Sequence, residues 1–413
     1  MVAAPVPVEV NDYSILPGSA VDREWPLLLV LAAIQFTHII DFMVIMPLGP
    51  QFIRLFLINP QQFSLLVSAY TFSASMFGFV AGLYADRFDR KRLLLSLYGC
   101  FIIATLLCAL APTYELLLTA RAVAGAFGGT IAAVIFAIIA DAIPEHRRGA
   151  ATGTIMSAFS VAAVAGVPTG LFLANHFTWR APFLMLTFLG SLVWLVAWQR
   201  LPSVRAHLKT PRAGNEWRQI QTIFGNRRHL TAFSLIATLM FAGFSVIPFI
   251  SPYMVANVGL KEGDLPYLYF SGGLATLFTA RFIGRLADHH GKQKVFTFVA
   301  ALSILPILLI TQLPRASLTV AILAMVLFMV LVSGRLVPAI ALISMSVEPH
   351  LRGSFMSFTS SIQQMAAGAA AFGAGAIIGK STTGTLTHYG KVGMLAATAT
   401  MVSIFLARKL RTD

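Results

Sequence analysis

Twelve long apolar runs govern what this chain can fold into. They cover approximately residues 27–49, 62–85, 93–112, 115–142, 149–174, 181–201, 229–256, 265–288, 293–313, 316–344, 353–379 and 389–407. A helix crosses a bilayer with about 20 apolar residues, so each run has the length of one span. Uninterrupted runs predict helices rather than barrel strands, which alternate in short segments. Composition agrees: 57% of the 413 residues are apolar and 11% are charged, against about a quarter charged in soluble proteins. So few charges cannot cover a water-soluble enzyme of this size, and so much hydrophobicity excludes disorder. The expected fold is an all-α integral membrane protein of twelve transmembrane helices in two pseudo-symmetric six-helix bundles.

One long polar stretch, about 202–228, interrupts the runs with Arg205, Lys209, Pro211, Arg212, Arg218, Arg227 and Arg228. It predicts a tail (1–24), a first bundle (25–201), a linker (202–228), a second bundle (229–407) and a short tail (408–413). The first 24 residues carry Glu9, Asp12, Asp22 and Glu24 without an early basic cluster, and so read as a polar tail rather than a cleaved signal. Cys100 and Cys108 lie eight residues apart in one run, about 12 Å along a helix and beyond disulfide reach. Neither a metal site nor a cofactor site is expected.

The net charge of +14 invites a nucleic-acid reading, which the placement of the charges excludes. With the N-terminus inside, 21 of the 30 Lys and Arg fall in cytoplasmic segments and six in outer loops. The remaining three, Arg121, Arg281 and Arg335, lie within runs. That asymmetry is the positive-inside rule, and it predicts both termini and the linker in the cytoplasm.

The two halves repeat. Gly82-Leu-Tyr-Ala-Asp86-Arg87-Phe-Asp-Arg90-Lys91-Arg92 follows the second run, and Gly284-Arg-Leu-Ala-Asp288-His-His-Gly-Lys292 follows the eighth, 202 residues on. Arg148-Gly149 and Arg352-Gly353 repeat at an offset of 204. Two matches at nearly one offset indicate a duplicated six-helix unit, a parallel repeat known from transporters.

On these residues the chain resembles the major facilitator superfamily. Gly82-x-x-x-Asp86-Arg87-x-x-Arg90-Lys91-Arg92 is similar to the signature loop between helices 2 and 3, with Asp89 where glycine is usual. Arg121-x-x-x-Gly125 resembles the helix-4 motif. Gly166-Val-Pro168-Thr-Gly170, followed by Trp179-Arg180-Ala-Pro-Phe183, resembles the helix-5 region of proton-driven antiporters, although Leu171 follows Gly170. The pattern is most similar to bacterial arabinose, nucleoside and multidrug exporters. The resemblance implies a monomer in the cell inner membrane. It also implies that Asp86 faces the start of helix 11 near Gly353, that Arg90 pairs with Asp141, and that these contacts latch one conformation. A solvated turn obeying the charge rule is the plainer reading of the loop. Asp89 is expected to tolerate a left-handed turn.

Gly125-x-x-x-Gly129, Gly166-x-x-x-Gly170 and Gly375-x-x-x-Gly379 have the spacing of close helix packing, and Pro168 is expected to bend span five. Ionisable groups inside a bilayer are costly and therefore functional candidates. Asp41 lies well inside span one, with His38 on its helical face and Gln35 and Thr37 one turn deeper. Arg121 sits at similar depth in span four, and helices 1 and 4 adjoin in the family. Two readings follow for Asp41: a proton carrier, or one member of a static ion pair with Arg121. His38 is either a proton or substrate partner or a helix-contact residue. Arg335 is expected to snorkel to the inner surface or pack there, and Arg281 to be interfacial. Gln363, Gln364, Phe244 and Tyr253 are candidate cavity residues, and aromatic residues at such spacing also serve packing.

Three functions compete. The first is an exporter exchanging protons for a small organic solute. The second is an uptake symporter or uniporter, since fold does not fix direction. The third, an enzyme or sensor, lacks support: there is no H-E-x-x-H, G-x-S-x-G or nucleotide-binding loop, and no loop exceeds about 27 residues.

Overall fold

A computed structural model describes residues 20–84, 87–202, 216–348 and 351–410. Twelve long helical rods run through them. α1 spans Ala20–Val44, α2 Pro60–Tyr84, α3 Arg90–Leu110 and α4 Tyr114–Ala142. α5 comprises Glu145–Val161, a π-helical turn Ala162–Gly166 and Val167–His176. α6 is Ala181–Arg200. α7 starts as Arg227–Phe244 and continues irregularly to Val258. α8 is Leu265–His290, α9 Lys292–Thr311, α10 Leu318–Gly334 plus Leu336–Met345, α11 Arg352–Ile377 and α12 Tyr389–Lys409.

Ten of the rods are long and apolar enough to cross a membrane; α8 and α11 fall short on composition. These two carry Arg281, Arg285 and Asp288, and Gln363 and Gln364. Both pack across the seam between the halves, α11 on α2 and α8 on α5, so less of their surface needs to suit lipid.

Proline and glycine set the irregularities. The first apolar run was expected to reach residue 49, but α1 stops at Val44 and a separate helix Gly49–Leu55 follows. Pro47 has no N–H to continue the ladder, and Pro50 fits the first turn of the new helix. In α7, Pro248 and Pro252 interrupt the bonding, which passes through a 3₁₀ turn Ile247–Phe249 and a π turn Met254–Val258. In α5 the expected bend near Pro168 takes the form of the π turn just before it. The linker contributes a helix, Glu216–Gly225; Arg205, Lys209, Pro211 and Arg212 lie outside the described residues, as does most of the N-terminal tail.

Two glycine spacings are backbone-packing devices. A Cβ at Gly125 would strike the Tyr70 backbone, and one at Gly129 the Ala74 backbone, so α4 lies directly on α2. Gly166 and Gly170 make room for Ile40 and Val44 of α1. The third spacing is different. Gly375 meets Ser64 of α2, but α11 ends at Ile377 and Gly379 pairs with Thr387 in a two-stranded antiparallel hairpin.

The loops define two ends of the molecule: the α1–α2 loop marks one, the α2–α3 loop the other. At the α1–α2 end the halves are closed together. Arg54 forms a salt bridge with Glu262, whose carbonyl accepts from Asn175 Nδ2 at 3.1 Å. Phe63 meets Phe249 edge-on at 5.8 Å. At the α2–α3 end, a Cβ on Gly149 or Gly153 of α5, or on Gly353 of α11, would meet nothing within 4 Å.

Candidate functional site

The expected depth match between Asp41 and Arg121 corresponds to a direct contact. Arg121 Nη1 donates to Asp41 Oδ2 at 2.7 Å, and both side chains are 0% exposed. The same Nη1 lies 3.3 Å from the Asp41 carbonyl. Two residues not foreseen from sequence complete the site. Thr105 of α3 donates its hydroxyl to Asp41 Oδ1 at 3.3 Å. The Tyr70 ring of α2 lies under the guanidinium, 4.4 Å from Cζ, as a cation–π partner. Four helices thus meet at one ion pair, which has its hydrogen bonds and its charge balance inside protein rather than lipid.

His38 stands one turn from Asp41, with its ring 5.7 Å from Phe101 and 6.4 Å from Tyr70. Among the described residues neither imidazole nitrogen has a hydrogen-bond partner; nor do Tyr70 OH, Gln35 Oε1, or Nε and Nη2 of Arg121. Gly128 makes the space: a Cβ there would collide with Tyr70 OH and stand 2.9 Å from His38 Nε2. Buried polar groups of this kind are normally satisfied, so the cluster is equipped to take a proton, water or a solute group. Thr37, next to His38, is by contrast occupied: its hydroxyl shares a 2.7 Å hydrogen bond with Tyr98 OH.

The aromatic candidates divide. Phe244 of α7 lies 5.7 Å from Phe42, which lies 5.4 Å from Tyr70, so it reaches the ion-pair neighbourhood from the opposite half. Tyr253 of α7 is instead engaged within the second half. Its hydroxyl donates to the Leu313 carbonyl at 3.1 Å and its ring packs on Tyr389 at 4.8 Å, from the short α segment Ile250–Tyr253 that follows the 3₁₀ turn of α7. Gln363 and Gln364 are half-buried on α11, near the point where Ser75 Oγ donates to the Ser361 carbonyl at 2.8 Å.

In the α2–α3 loop region, Gly82 lies in α2, Asp86 falls outside the described residues, and Arg87 and Arg92 are exposed while Lys91 is half-buried. Arg90 Nε donates to Asp141 Oδ2 at 2.9 Å, tying the start of α3 to the end of α4. Asp89 does not take the left-handed turn. Its φ of −56° and ψ of 121° make it the N-cap of α3, accepting from the Lys91 and Arg92 amides. An aspartate does this where glycine cannot. Asp288 is exposed near the end of α8, as is Arg281. Arg335 does not snorkel: it is 1% exposed and donates to Ser303 Oγ at 3.0 Å and Thr400 Oγ1 at 2.8 Å. Hydroxyls on α9 and α12 give its head group an inward destination.

Comparison with known proteins agrees with this architecture. The sequence profile of the Major Facilitator Superfamily matches residues 31–372. The uncharacterized MFS-type transporter YceJ of Bacillus subtilis is 25% identical over 91% of this chain and 93% of its own length. A second B. subtilis relative, YfhI, is 28% identical over 57% of this chain, a match spanning only 62% of that relative. A probable sugar efflux transporter of Helicobacter pylori is 26% identical over 60% of this chain and 61% of its own length. Among solved structures, a D-xylose-proton symporter superposes with a TM-score of 0.77 at 15% identity, covering 95% of this chain and 98% of the other. A bacterial homolog of the lysosomal transporter Spinster, in an inward-facing and unoccupied conformation, gives 0.70 at 17% identity, with 96% and 100% covered. These likenesses show a shared fold. The chain belongs to the Major Facilitator Superfamily and is a multi-pass membrane transporter, not an enzyme.

Proposed function

We propose that this transporter exports a small organic solute, a sugar, nucleoside or drug-like amphiphile, in exchange for protons by alternating access. The observation that carries the reading is the buried Asp41–Arg121 pair beside the unpartnered His38. A carboxylate enclosed at that depth calls for a role, since a neutral residue would be cheaper to bury. Arg121 and Thr105 hold the carboxylate in this closed arrangement, and opening the site to either side would change which water can exchange a proton with it. Protonation of Asp41 would release Arg121, whose free Nε and Nη2 could then hold a solute oxygen. The sugar-efflux name of the H. pylori relative favours export of a hydroxylated solute.

In this reading both termini and the linker are cytoplasmic, and the halves 25–201 and 229–407 rock against each other. The α1–α2 end, held by Arg54–Glu262 and Asn175, is the closed outer gate. The α2–α3 end is the inner mouth, with Arg90–Asp141 beside it. The test is transport in reconstituted vesicles carrying an internal pH dye, with a panel of sugars, nucleosides and amphiphiles. Solute movement that drives opposite proton movement, lost in Asp41→Asn, is expected. Solute and protons moving in the same direction would instead indicate symport.

A further inference from the structure

Arg335 is the one fully buried arginine, besides Arg121, among the described residues, and no carboxylate among them pairs with it. Its Nη1 is held by Ser303 and Thr400. Those hydroxyls are themselves committed as donors, to the Ala300 carbonyl at 2.7 Å and the Ala396 carbonyl at 2.8 Å, so toward Arg335 they act as acceptors. Nε and Nη2, which form the side edge of the guanidinium, have no partner. That edge presents two parallel N–H groups, the fork that binds anions bidentately.

The location adds a second observation. α10 is interrupted at this residue: the first segment ends at Gly334, Arg335 is the junction, and the second begins at Leu336. Pro338 has no N–H to return to the Gly334 carbonyl. Broken helices at mid-membrane depth mark ion and solute sites in transporters. Counting rise places Arg335, Ser303 and Thr400 each about 14–17 Å from the α2–α3 end, near the middle of a hydrocarbon core about 30 Å thick. The end of the first α10 segment and the start of the second meet at Arg335, so their opposite partial charges of roughly half a unit each offset one another and leave the cation uncompensated. An unpaired guanidinium at this depth is costly unless a counter-charge joins it.

We infer that the second half of this transporter holds a small monovalent anion, a halide or a formate-sized carboxylate, on the Nε–Nη2 edge of Arg335, between α9, α10 and α12. The anion is a resident ion and not the transported solute. The site lies inside one bundle, away from the α2–α11 and α5–α8 seams where the halves meet. It is independent of the proton reading at Asp41.

The test is thermal unfolding of the purified full-length protein at constant ionic strength, with gluconate exchanged for chloride, bromide or formate. Gluconate is too bulky to enter. A saturable rise in midpoint of at least about 4 °C is expected with any of the three small anions. Competition between chloride and formate would show one shared site. Arg335→Gln should remove the dependence, and the double variant Ser303→Ala/Thr400→Val should shift it to higher anion concentration. A midpoint indifferent to anion identity, or an equal dependence in Arg335→Gln, overturns the inference. Should Arg335→Gln fail to fold, bromide anomalous diffraction on the unaltered protein decides. A peak within about 3.5 Å of Nε and Nη2 supports the site, and its absence at saturating bromide removes it.

Discussion

Among the described residues two arginines are fully buried, and the protein treats them differently. Arg121 meets a carboxylate from a neighbouring helix and rests on an aromatic ring. Arg335 meets two hydroxyls. The first arrangement contains its own counter-charge, and in the proposed mechanism one proton would switch it. The second has no carboxylate partner among the described residues, and its hydroxyl partners stay neutral across the physiological range. In the proposed mechanism it is the carboxylate partner, and not burial alone, that distinguishes the coupling pair.

That contrast can be broken most severely at Asp41. Asp41→Asn strands Arg121 and is expected to cost about 3–5 kcal/mol of stability, the usual penalty for removing one partner of a buried pair. Asp41→Asn/Arg121→Gln should recover most of that loss in a denaturation assay while remaining unable to drive uphill transport. Full gradient-driven transport by the double variant would reduce the pair to a structural one. The contrast can be sharpened by giving Arg335 what Arg121 has. Ser303→Asp places a carboxylate beside it and is expected to stabilise the anion-free protein by about 1.5–3 kcal/mol, the range of a hydrogen bond to a charged group. The same change should abolish the response to chloride, which anion titration of the melting midpoint reads directly.

More exposed pairs should matter progressively less. Arg90–Asp141 has one partner 5% and the other 22% exposed. Asp141→Asn is expected to cost about 1 kcal/mol in unfolding free energy, with a larger effect on the rate of solute exchange than on solute binding if the pair acts as a latch. Arg54–Glu262, whose arginine is 63% exposed, comes last. Glu262→Gln should change stability by no more than about 1 kcal/mol. Because that pair joins the two halves, its loss should still increase labelling of a cysteine placed at the α1–α2 end.

How much of this was legible in the sequence depends on what each residue had to reveal. The twelve rods followed from run length, since a bilayer imposes one length on every span. The Asp41–Arg121 meeting followed from counting rise along two helices known to adjoin in the resembling family. Tyr70 and Thr105 were not legible, because nothing in an apolar run tells which face of α2 or α3 turns toward α1. Gly125, four residues from Arg121, was the available hint for Tyr70, since its missing side chain is what admits the α2 backbone there. Arg335 was misplaced for a definite reason: snorkelling assumes a free path along the helix, whereas Ser303 and Thr400 supply an inward one. The contacts of Tyr253 were not legible because the 3₁₀ turn Ile247–Phe249 breaks the 3.6-residue periodicity of α7 just before the short α segment that carries it.

The close packing of α2 has a mechanical consequence. Backbone meets backbone on its α4 side, at Gly125 and Gly129. On its α11 side, Gly368 and Gly375 bring the other half almost as near, against Thr71, Phe72 and Ser64. On the α4 side there is no layer of long side chains to compress or repack, whereas on the α11 side Phe72 and the Phe79–Phe358 pair fill the seam. Contact this close would favour turning or sliding of α2 on α4 over gradual parting. The other seam is no looser, since a Cβ on Gly273 of α8 would strike the Ala163 backbone of α5, so any rocking of the halves would turn on two backbone-close contacts rather than open at one edge.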